Sequence, residues 1–329
     1  MKTVVLMMVV SGSGVVFAQP GATPAADPAT APLEAPPAAP PVAPSAAPPP
    51  MGPPATVAAS AAEPGASSAD AEPAGGPGFV VIDPLDRGSR IGIGLSYINL
   101  DDSTFSTGDL TVLRLDAQGH VVDKRTGLGG YFQVPFAYGR ASANGMSDTI
   151  TDVGNLEVGV LFAPRIDPPG FGLVLHAGVT LPTGEKDDES AVGTLASAAA
   201  LPGLYNTLPR STTIKLGISP MFRSGIVFGR LDLGFDGNVD ADRSAIGNGI
   251  HFTAGVGVDL GGAAVMLESE NLAILGLGDR KGSTLNAVAV SARAASGAVS
   301  PFAAVVIPVD DDVREVIDFS VTAGIDFKL

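Results

Sequence analysis

The C-terminal end of the chain alternates strictly between two kinds of side chain. From 317 to 329 every odd-numbered residue is apolar, and every even-numbered residue is polar, charged or glycine. Successive side chains of a β-strand point to opposite faces, so this pattern predicts a strand with one apolar and one polar face. The same alternation returns upstream, for example at 251–260, which makes two-faced strands the main building element of the chain.

About twelve segments of this kind follow one another after residue 87. Their predicted starts are Gly88, Leu110, Leu128, Asp152, Phe171, Thr212, Gly225, Gly249, Ala263, Thr284, Ala298 and Val316. The connections between them alternate between long, as in Pro182–Ser211, and short, as in Gly261–Gly262. Short turns at one end, long loops at the other and an even number of strands are typical of bacterial outer-membrane barrels.

Alternation alone does not tell which face points inward. A soluble β-sandwich or a lipocalin-like barrel buries its apolar face, whereas a membrane barrel turns that face to lipid. The polar face here is rich in glycine and charge, which suits a wet lumen better than a core. The mean hydropathy of +0.32 favours the same alternative, whereas no Trp and only four Tyr leave few residues for interfacial girdles. We therefore predict that residues 88–329 form an all-β fold, a transmembrane antiparallel up-and-down β-barrel of about twelve strands.

The N-terminal quarter of the chain has a different composition. Residues 1–18 fit a cleavable signal peptide, with Lys2, a short apolar run and a small-x-small site ending at Ala18. Residues 19–87 consist, up to Pro77, almost wholly of Ala, Pro, Gly, Ser and Thr, a composition that cannot bury enough apolar surface to fold. This segment is predicted to be a disordered Ala/Pro-rich linker in the periplasm, where it could contact peptidoglycan.

Composition also excludes several function classes. The chain has no cysteine, which rules out disulfides, cysteine-bound metals and thiol catalysis. Its net charge of -15 argues against nucleic acid as a partner, because such binding depends on basic patches. We predict no cofactor, and we expect the outer-membrane lipids, lipopolysaccharide and the barrel assembly machinery as partners.

The polar faces of the strands supply the predicted lumen-lining residues. These are Arg114, Asp116, His120, Glu157, His176, Lys215, Arg230, Asp232, His251, Asp259, Glu268, Glu270, Asp318 and Asp326. Acidic groups outnumber basic groups among them, which predicts a weak preference for cations. The long Pro182–Ser211 connection, with its Ala-rich centre, could fold into the lumen as a constriction.

Catalytic and metal sites are not predicted in this lumen. The strand rise of about 3.3 Å per residue spreads the three histidines along the barrel axis, too far apart to share a metal ion. The sequence places no serine beside a histidine on the polar face, so we predict no enzyme activity.

Three short stretches resemble a known family. Thr151–Gly159 and Val179–Glu185 are similar to the start of one strand and the "LPTG" end of the next, and Gly127–Pro135 is similar to the strand before them. The family comprises outer-membrane barrels classed as transporters or as components of a phenol-degradation meta pathway. The resemblance implies a channel for small molecules, including aromatic or other hydrophobic ones, and offers no catalytic residues. The terminal Leu329 departs from the Phe usual in such barrels.

The predicted function is therefore an outer-membrane channel for passive or facilitated diffusion of small solutes. The alternative is a structural or adhesive protein whose plugged barrel only anchors loops and linker. A continuous bore would favour the channel, and a filled lumen would favour the anchor.

Overall fold

The structure is a computed structural model of the 329-residue chain. It describes residues 8–11, 14–17, 79–81, 85–100, 108–143, 146–167, 170–184, 195–197, 200–208, 211–239, 247–275, 283–294 and 297–329. Met8–Ser11 and Gly14–Phe17 form a short antiparallel hairpin within the predicted signal peptide. Most of the predicted linker, residues 19–78, lies outside the described residues, so the signal peptide and the disordered linker stay predictions.

Twelve antiparallel strands form a closed barrel, as the sequence predicts. Each strand pairs with its neighbours in chain order, and the last strand pairs with the first from Lys328 opposite Arg90 onward. The strands are β1 (Arg90–Leu100), β2 (Gly108–Val122), β3 (Leu128–Ala143), β4 (Met146–Val153 and Leu156–Phe162), β5 (Phe171–Leu181), β6 (Thr213–Ser224), β7 (Val227–Asn238), β8 (Gly249–Asp259), β9 (Ala263–Ile274), β10 (Ser283–Ala294), β11 (Val299–Pro308) and β12 (Ile317–Lys328).

Strand β4 is broken into two parts at Gly154 and Asn155. Both parts pair with β3, on either side of Pro135. The N–H of Gly154 donates to the carbonyl oxygen of Pro135 at 2.8 Å, while Asn155 turns towards the lumen. The first part begins at Met146, six residues before the predicted start. Here β3 and β4 continue to pair through mostly polar residues, which the sequence pattern does not identify as strand.

The outer face of the barrel is apolar and the inner face is polar. In β1, Ile91, Ile93 and Leu95 are 43–51% exposed, whereas the inward-facing Ser96 is 2% exposed. The same inversion of the usual burial pattern runs round the barrel, where the exposed large hydrophobic residues alternate with buried charged ones. Such a surface is suited to lipid, and the observed facing settles the choice between membrane and soluble barrel that alternation left open.

Glycine shapes the short connections at one end of the barrel. Each of the five short turns contains a glycine with positive φ: Gly127, Gly170, Gly225, Gly261 and Gly297. At Gly127, an added Cβ would also lie 2.3 Å from the carbonyl oxygen of Ala163 in the next turn. At the opposite end, the connection between β3 and β4 is only residues 144–145, although the alternation predicts a long loop there. The other five connections at that end are long, so the predicted asymmetry of the loops is confirmed for them.

Among the described residues, the long connections include a 3₁₀ helix at Leu201–Asn206 and an α-helix, α1, at Asp311–Arg314. Within the described ranges, no helix has the length and apolar character needed to cross a membrane. The 3₁₀ helix belongs to the Pro182–Ser211 connection and is buried inside the barrel together with residues 79–81.

Candidate functional site: the barrel lumen

The inward-facing charged residues lie mostly where the alternation places them. Asp116 and Asp259 are partly buried, and the following predicted lumen residues are buried: Arg114, His120, Glu157, His176, Lys215, Arg230, Asp232, His251, Glu268, Glu270 and Asp326. Their burial arises inside the barrel, since their neighbours along each strand are the exposed apolar residues of the outer face.

Asp318 is an exception to the predicted facing. The register between β12 and β1 shifts between Ile317 and Phe319, so one residue is inserted into β12 at this point. A β-bulge of this kind changes the side to which a side chain points. Asp318 is exposed and accepts a hydrogen bond from Nδ2 of Asn99 at 2.9 Å on the outer side of the barrel. It therefore does not line the lumen.

The charged groups of the wall are arranged in pairs. Lys215 lies 2.9 Å from Glu157, and both side chains are less than 10% exposed. Arg230 and Asp232 lie 2.8 Å apart on the same strand. Pairing offsets the cost of removing these charges from water. It also means that the surplus of acidic residues counted from the sequence is not a surplus of free negative charge.

Further pairs involve residues that the sequence analysis missed. Arg293 forms an ion pair with Asp326, and the Asp236 carboxylate accepts a hydrogen bond from Nδ1 of His251 at 3.0 Å. The facing of the Thr284–Arg293 segment is ambiguous in the sequence because both of its faces are apolar or small. Asp236 belongs to the end of β7, where the sequence pattern predicts a loop.

Glycines on neighbouring strands leave space for the larger inward-facing side chains. A Cβ added to Gly217 would lie 1.8 Å from Nε2 of His176, and one added to Gly234 would lie 2.0 Å from the His251 ring. Each glycine stands opposite its histidine in the strand register. Part of each histidine ring therefore occupies the space that a side chain at the glycine would take, and both rings border the space inside the barrel.

Two segments of the chain fill the space that the wall leaves. We call residues 79–81 and 85–87 the N-terminal insert. Phe79 and Leu85 are each 4% exposed, and the Phe79 ring centre lies 5.4 Å from that of Phe228. Nη1 of Arg230 donates to the carbonyl oxygen of Leu85 at 2.6 Å. The last part of the segment predicted as linker is thus inside the barrel.

The second filling segment, residues 195–197 and 200–208, is called the loop insert. Leu204, Tyr205 and Leu208 pack with Val81 of the N-terminal insert and with small wall residues such as Ala289. Tyr205 donates a hydrogen bond to the carbonyl oxygen of Gly247 at 2.9 Å. The Pro182–Ser211 connection therefore folds into the lumen, as the sequence analysis considered.

Asn155, at the break in β4, holds both ends of the connection that carries the loop insert. Its Nδ2 donates to the carbonyl oxygens of Leu208 at 2.6 Å and Ser211 at 3.2 Å. Its Oδ1 accepts the N–H of Gly184 at 3.1 Å. Its own N–H donates to the carbonyl oxygen of Asn206 at 2.6 Å. The side chain is fully buried, so the break in the strand serves as the attachment point of the loop insert.

A cavity of about 100 Å³ remains between the two inserts and the charged side of the wall. Its polar side includes Asp116, Glu157 and Lys215, and its apolar side includes Val81 and Phe302. Its volume is enough for several water molecules, each of which needs about 30 Å³. The two inserts thus fill much of the lumen, which is not packed solid.

Comparison with known proteins supports the fold. No protein family and no curated protein matches the sequence. Among solved structures, an outer membrane channel from Pseudomonas putida F1 is similar with a TM-score of 0.55 and 12% identity, over 74% of this chain and 97% of that chain. LpxR from Salmonella typhimurium is similar with a TM-score of 0.40 and 11% identity, over 73% and 100% of the two chains. At these identities the likeness shows an outer-membrane type of barrel, while the phenol-degradation type stays a prediction.

The prediction that the chain is not an enzyme is corrected. Outer membrane phospholipase A from Escherichia coli is also among the similar structures, with a TM-score of 0.39 and 12% identity, over 74% of this chain and 96% of that chain. The similar structures thus include an enzyme, and the prediction that this chain has no enzyme activity is not retained.

Proposed function

We propose that this chain is an outer-membrane channel for small solutes whose bore is closed by two inserts. The proposal is supported by the kind of structure that fills the lumen, which is mainly the two inserts. The wall side chains His176 and His251 pack against glycines of the neighbouring strands, and the bore is occupied by chain segments that belong to no strand. A barrel that serves only as an anchor can be filled by its own wall side chains, whereas removable segments leave a bore when they move.

The same closed lumen favours the second candidate, a structural or adhesive anchor. Single-channel recording in planar bilayers separates the two. A channel will show discrete openings with the wild-type protein, and replacing residues 191–204 with a short Gly-Ser linker will raise the conductance. An anchor will remain closed in the wild type at every voltage, and that result would end the channel proposal.

The charge of the lumen supports a preference for cations. Glu268 and Glu270 face inward in addition to the paired charges, and each accepts main-chain N–H groups from an insert. When an insert leaves, its cationic partners Arg114, Arg230 and Arg293 keep their ion pairs with aspartates, whereas its carboxylate partner faces the bore and attracts cations. Reversal potentials measured under a salt gradient test this point, and a clear preference for anions would contradict it. Adding phenol to the same bilayers tests the aromatic solutes that the family resemblance implies.

The proposed location is the outer membrane, with the short turns and the N-terminal linker in the periplasm. The support is the exposed apolar belt, which includes Leu216, Leu231 and Leu267. Outer-membrane lipid and lipopolysaccharide would contact this belt, and the barrel assembly machinery would insert it. Protease added to intact cells should cleave the long loops and should reach the N-terminal linker only after the outer membrane is permeabilised; the reverse order would contradict the orientation.

A further inference from the structure

Residues 79–81 of the N-terminal insert are hydrogen-bonded to the wall through their main chain. The N–H groups of Val80 and Val81 donate to the carboxylate of Glu268, at 3.3 and 2.9 Å. The carbonyl oxygen of Phe79 accepts a hydrogen bond from Nη2 of Arg293 at 3.2 Å. One wall carboxylate and one wall guanidinium thus bind the donors and the acceptor of a short stretch of peptide backbone.

The loop insert is bound in the same manner by other wall residues. The N–H of Leu201 donates to Glu270 at 3.1 Å. The carbonyl oxygen of Ala196 accepts from Nη1 of Arg114 at 3.4 Å. Carboxylates therefore accept N–H groups and cationic side chains donate to carbonyl oxygens on both inserts, so the wall recognises peptide backbone at two independent places.

The wall groups that bind the inserts are buried, so leaving them without hydrogen-bond partners would be costly. Glu268 is 1% exposed, Arg293 is 3% exposed and Arg230 is 4% exposed. Charged groups in such surroundings need hydrogen-bond partners, and charge-assisted bonds are stronger than neutral ones. If the N-terminal insert moves away, the groups that replace it must be water or a solute with the same pattern of N–H and carbonyl groups.

An apolar pocket next to these charges adds selectivity for a side chain. The Phe79 ring packs among Phe228, Ala264 and Met266. Backbone hydrogen bonds combined with a pocket for one side chain form a common mode of peptide recognition. The pocket accepts a large apolar or aromatic side chain directly before the two residues whose N–H groups bind Glu268.

We propose that the lumen wall around Glu268 and Arg293 is a binding site for short extended peptides, and that residues 79–81 are its tethered occupant. The proposal rests on the proposed function, because only an open lumen admits a peptide. A peptide with an aromatic residue followed by two residues with free N–H groups would replace the insert contact for contact.

The test uses the full-length protein carrying Phe79→Gly, Val80→Gly and Val81→Gly, which weakens the occupant and leaves the wall intact. The probe is the blocked tripeptide acetyl-Phe-Val-Val-amide, titrated calorimetrically into the detergent-solubilised protein. A short tether provides an effective concentration of about millimolar, so the tripeptide should bind the triple variant at least about tenfold more tightly than the wild type. No binding to the folded triple variant would overturn the proposal.

Two controls separate backbone recognition from general affinity for apolar molecules. A tripeptide methylated on both valine nitrogens keeps the side chains and loses the donors, so it should bind about tenfold more weakly. Glu268→Gln in the triple variant should weaken binding of the unmodified tripeptide by a similar factor. Glu270→Gln should leave that binding unchanged, because the main-chain N–H that Glu270 accepts comes from Leu201 of the loop insert. Equal binding of the two tripeptides would refute backbone recognition.

The experiments can refute the proposed peptide site and the proposed channel independently of each other. Calorimetric binding without any conductance would keep the site and end the channel proposal, and conductance without binding would do the reverse. If the triple variant does not fold, Phe79→Ala provides the second background, because it empties the apolar pocket beside Phe228 and Met266 and so weakens the occupant. Wild-type-like weak binding in that background would also overturn the proposal.

Discussion

Replacing Asn155 with Ala should release the loop insert without opening the barrel itself. The Asn155 side chain makes three hydrogen bonds to main-chain atoms of Gly184, Leu208 and Ser211, all from a fully buried position. Alanine leaves these buried groups without that partner, at a cost of about 1–3 kcal/mol for each unsatisfied group. The strand pairs on both sides of the break in β4 do not involve this side chain.

The expected magnitude follows from these three contacts. Water in the nearby cavity can replace part of what is lost, so we expect the loop insert to be destabilised by about 2–4 kcal/mol. Since 1.4 kcal/mol is a factor of ten, the population of the released loop should rise by about 30- to 700-fold. Asn155→Asp should have a larger effect, because it places a carboxylate against the carbonyl oxygens of Leu208 and Ser211.

Cysteine labelling measures this release directly, because the chain contains no cysteine of its own. Ser197→Cys is a nearly isosteric change at a buried position of the loop insert, and Ser224→Cys is an exposed reference position. In the Asn155→Ala background, maleimide should label Cys at 197 much faster, with no change at 224. Asn271→Ala removes an asparagine that bonds to Phe252 and Ser269 instead, and should leave both rates unchanged. An unchanged rate at 197 in Asn155→Ala would refute the role of Asn155.

Three further predictions concern the wall and one short turn. Gly217→Ala should destabilise the barrel by about 1–3 kcal/mol through a clash with His176, and so lower its thermal unfolding midpoint. Gly262→Ala, whose new Cβ meets no atom within 4 Å, should leave the midpoint unchanged. Equal midpoints for the two variants would contradict the close packing of His176 against Gly217. Lys215→Met should destabilise the barrel by about 3–5 kcal/mol because Glu157 loses its buried cation, and adding Glu157→Gln should restore most of the loss; no recovery in urea unfolding would show that the pair is not the cause. The N–H of Arg125 and the hydroxyl of Thr126 hold the pKa of Asp123 below its usual value of 3.8, so its contribution to stability is present above that value and is lost as the pH falls through the lowered pKa. Asp123→Asn should remove this acid dependence from the unfolding midpoint, and an unaltered pH profile would speak against it.

The strand pattern of this barrel could be predicted closely from the sequence, because lipid outside and charge inside impose opposite requirements on alternate residues. Most predicted starts lie within two residues of the observed ones; for example, the strand predicted near Thr284 begins at Ser283. The exceptions have local causes. The facing of Asp318 was predicted wrongly because a bulge shifts the register of β12. The start of β4 was predicted too late because its first residues are polar on both faces and resemble a loop.

The filling of the lumen was much harder to predict. Several wall residues of β10 and β11 that touch the inserts are small or apolar, namely Ala287, Ala289, Ala304 and Val306. A strand with apolar residues on both faces gives no alternation, which is why the facing of the Thr284–Arg293 segment stayed ambiguous. Asn155 lies on the predicted polar face, but no local pattern reveals that its partners are more than 25 residues away.

The contact between the two inserts gives opening a thermodynamic signature. Val81, Leu204 and the small wall residues form a hydrophobic nucleus inside a barrel whose outer surface is also apolar. Opening the lumen exposes this nucleus to water, and exposure of apolar surface raises the heat capacity. The free energy that holds the lumen closed must therefore curve with temperature and pass through a maximum. Cooling below that maximum weakens closure just as heating does, so the temperature dependence of the open probability would report how much apolar surface the two inserts bury.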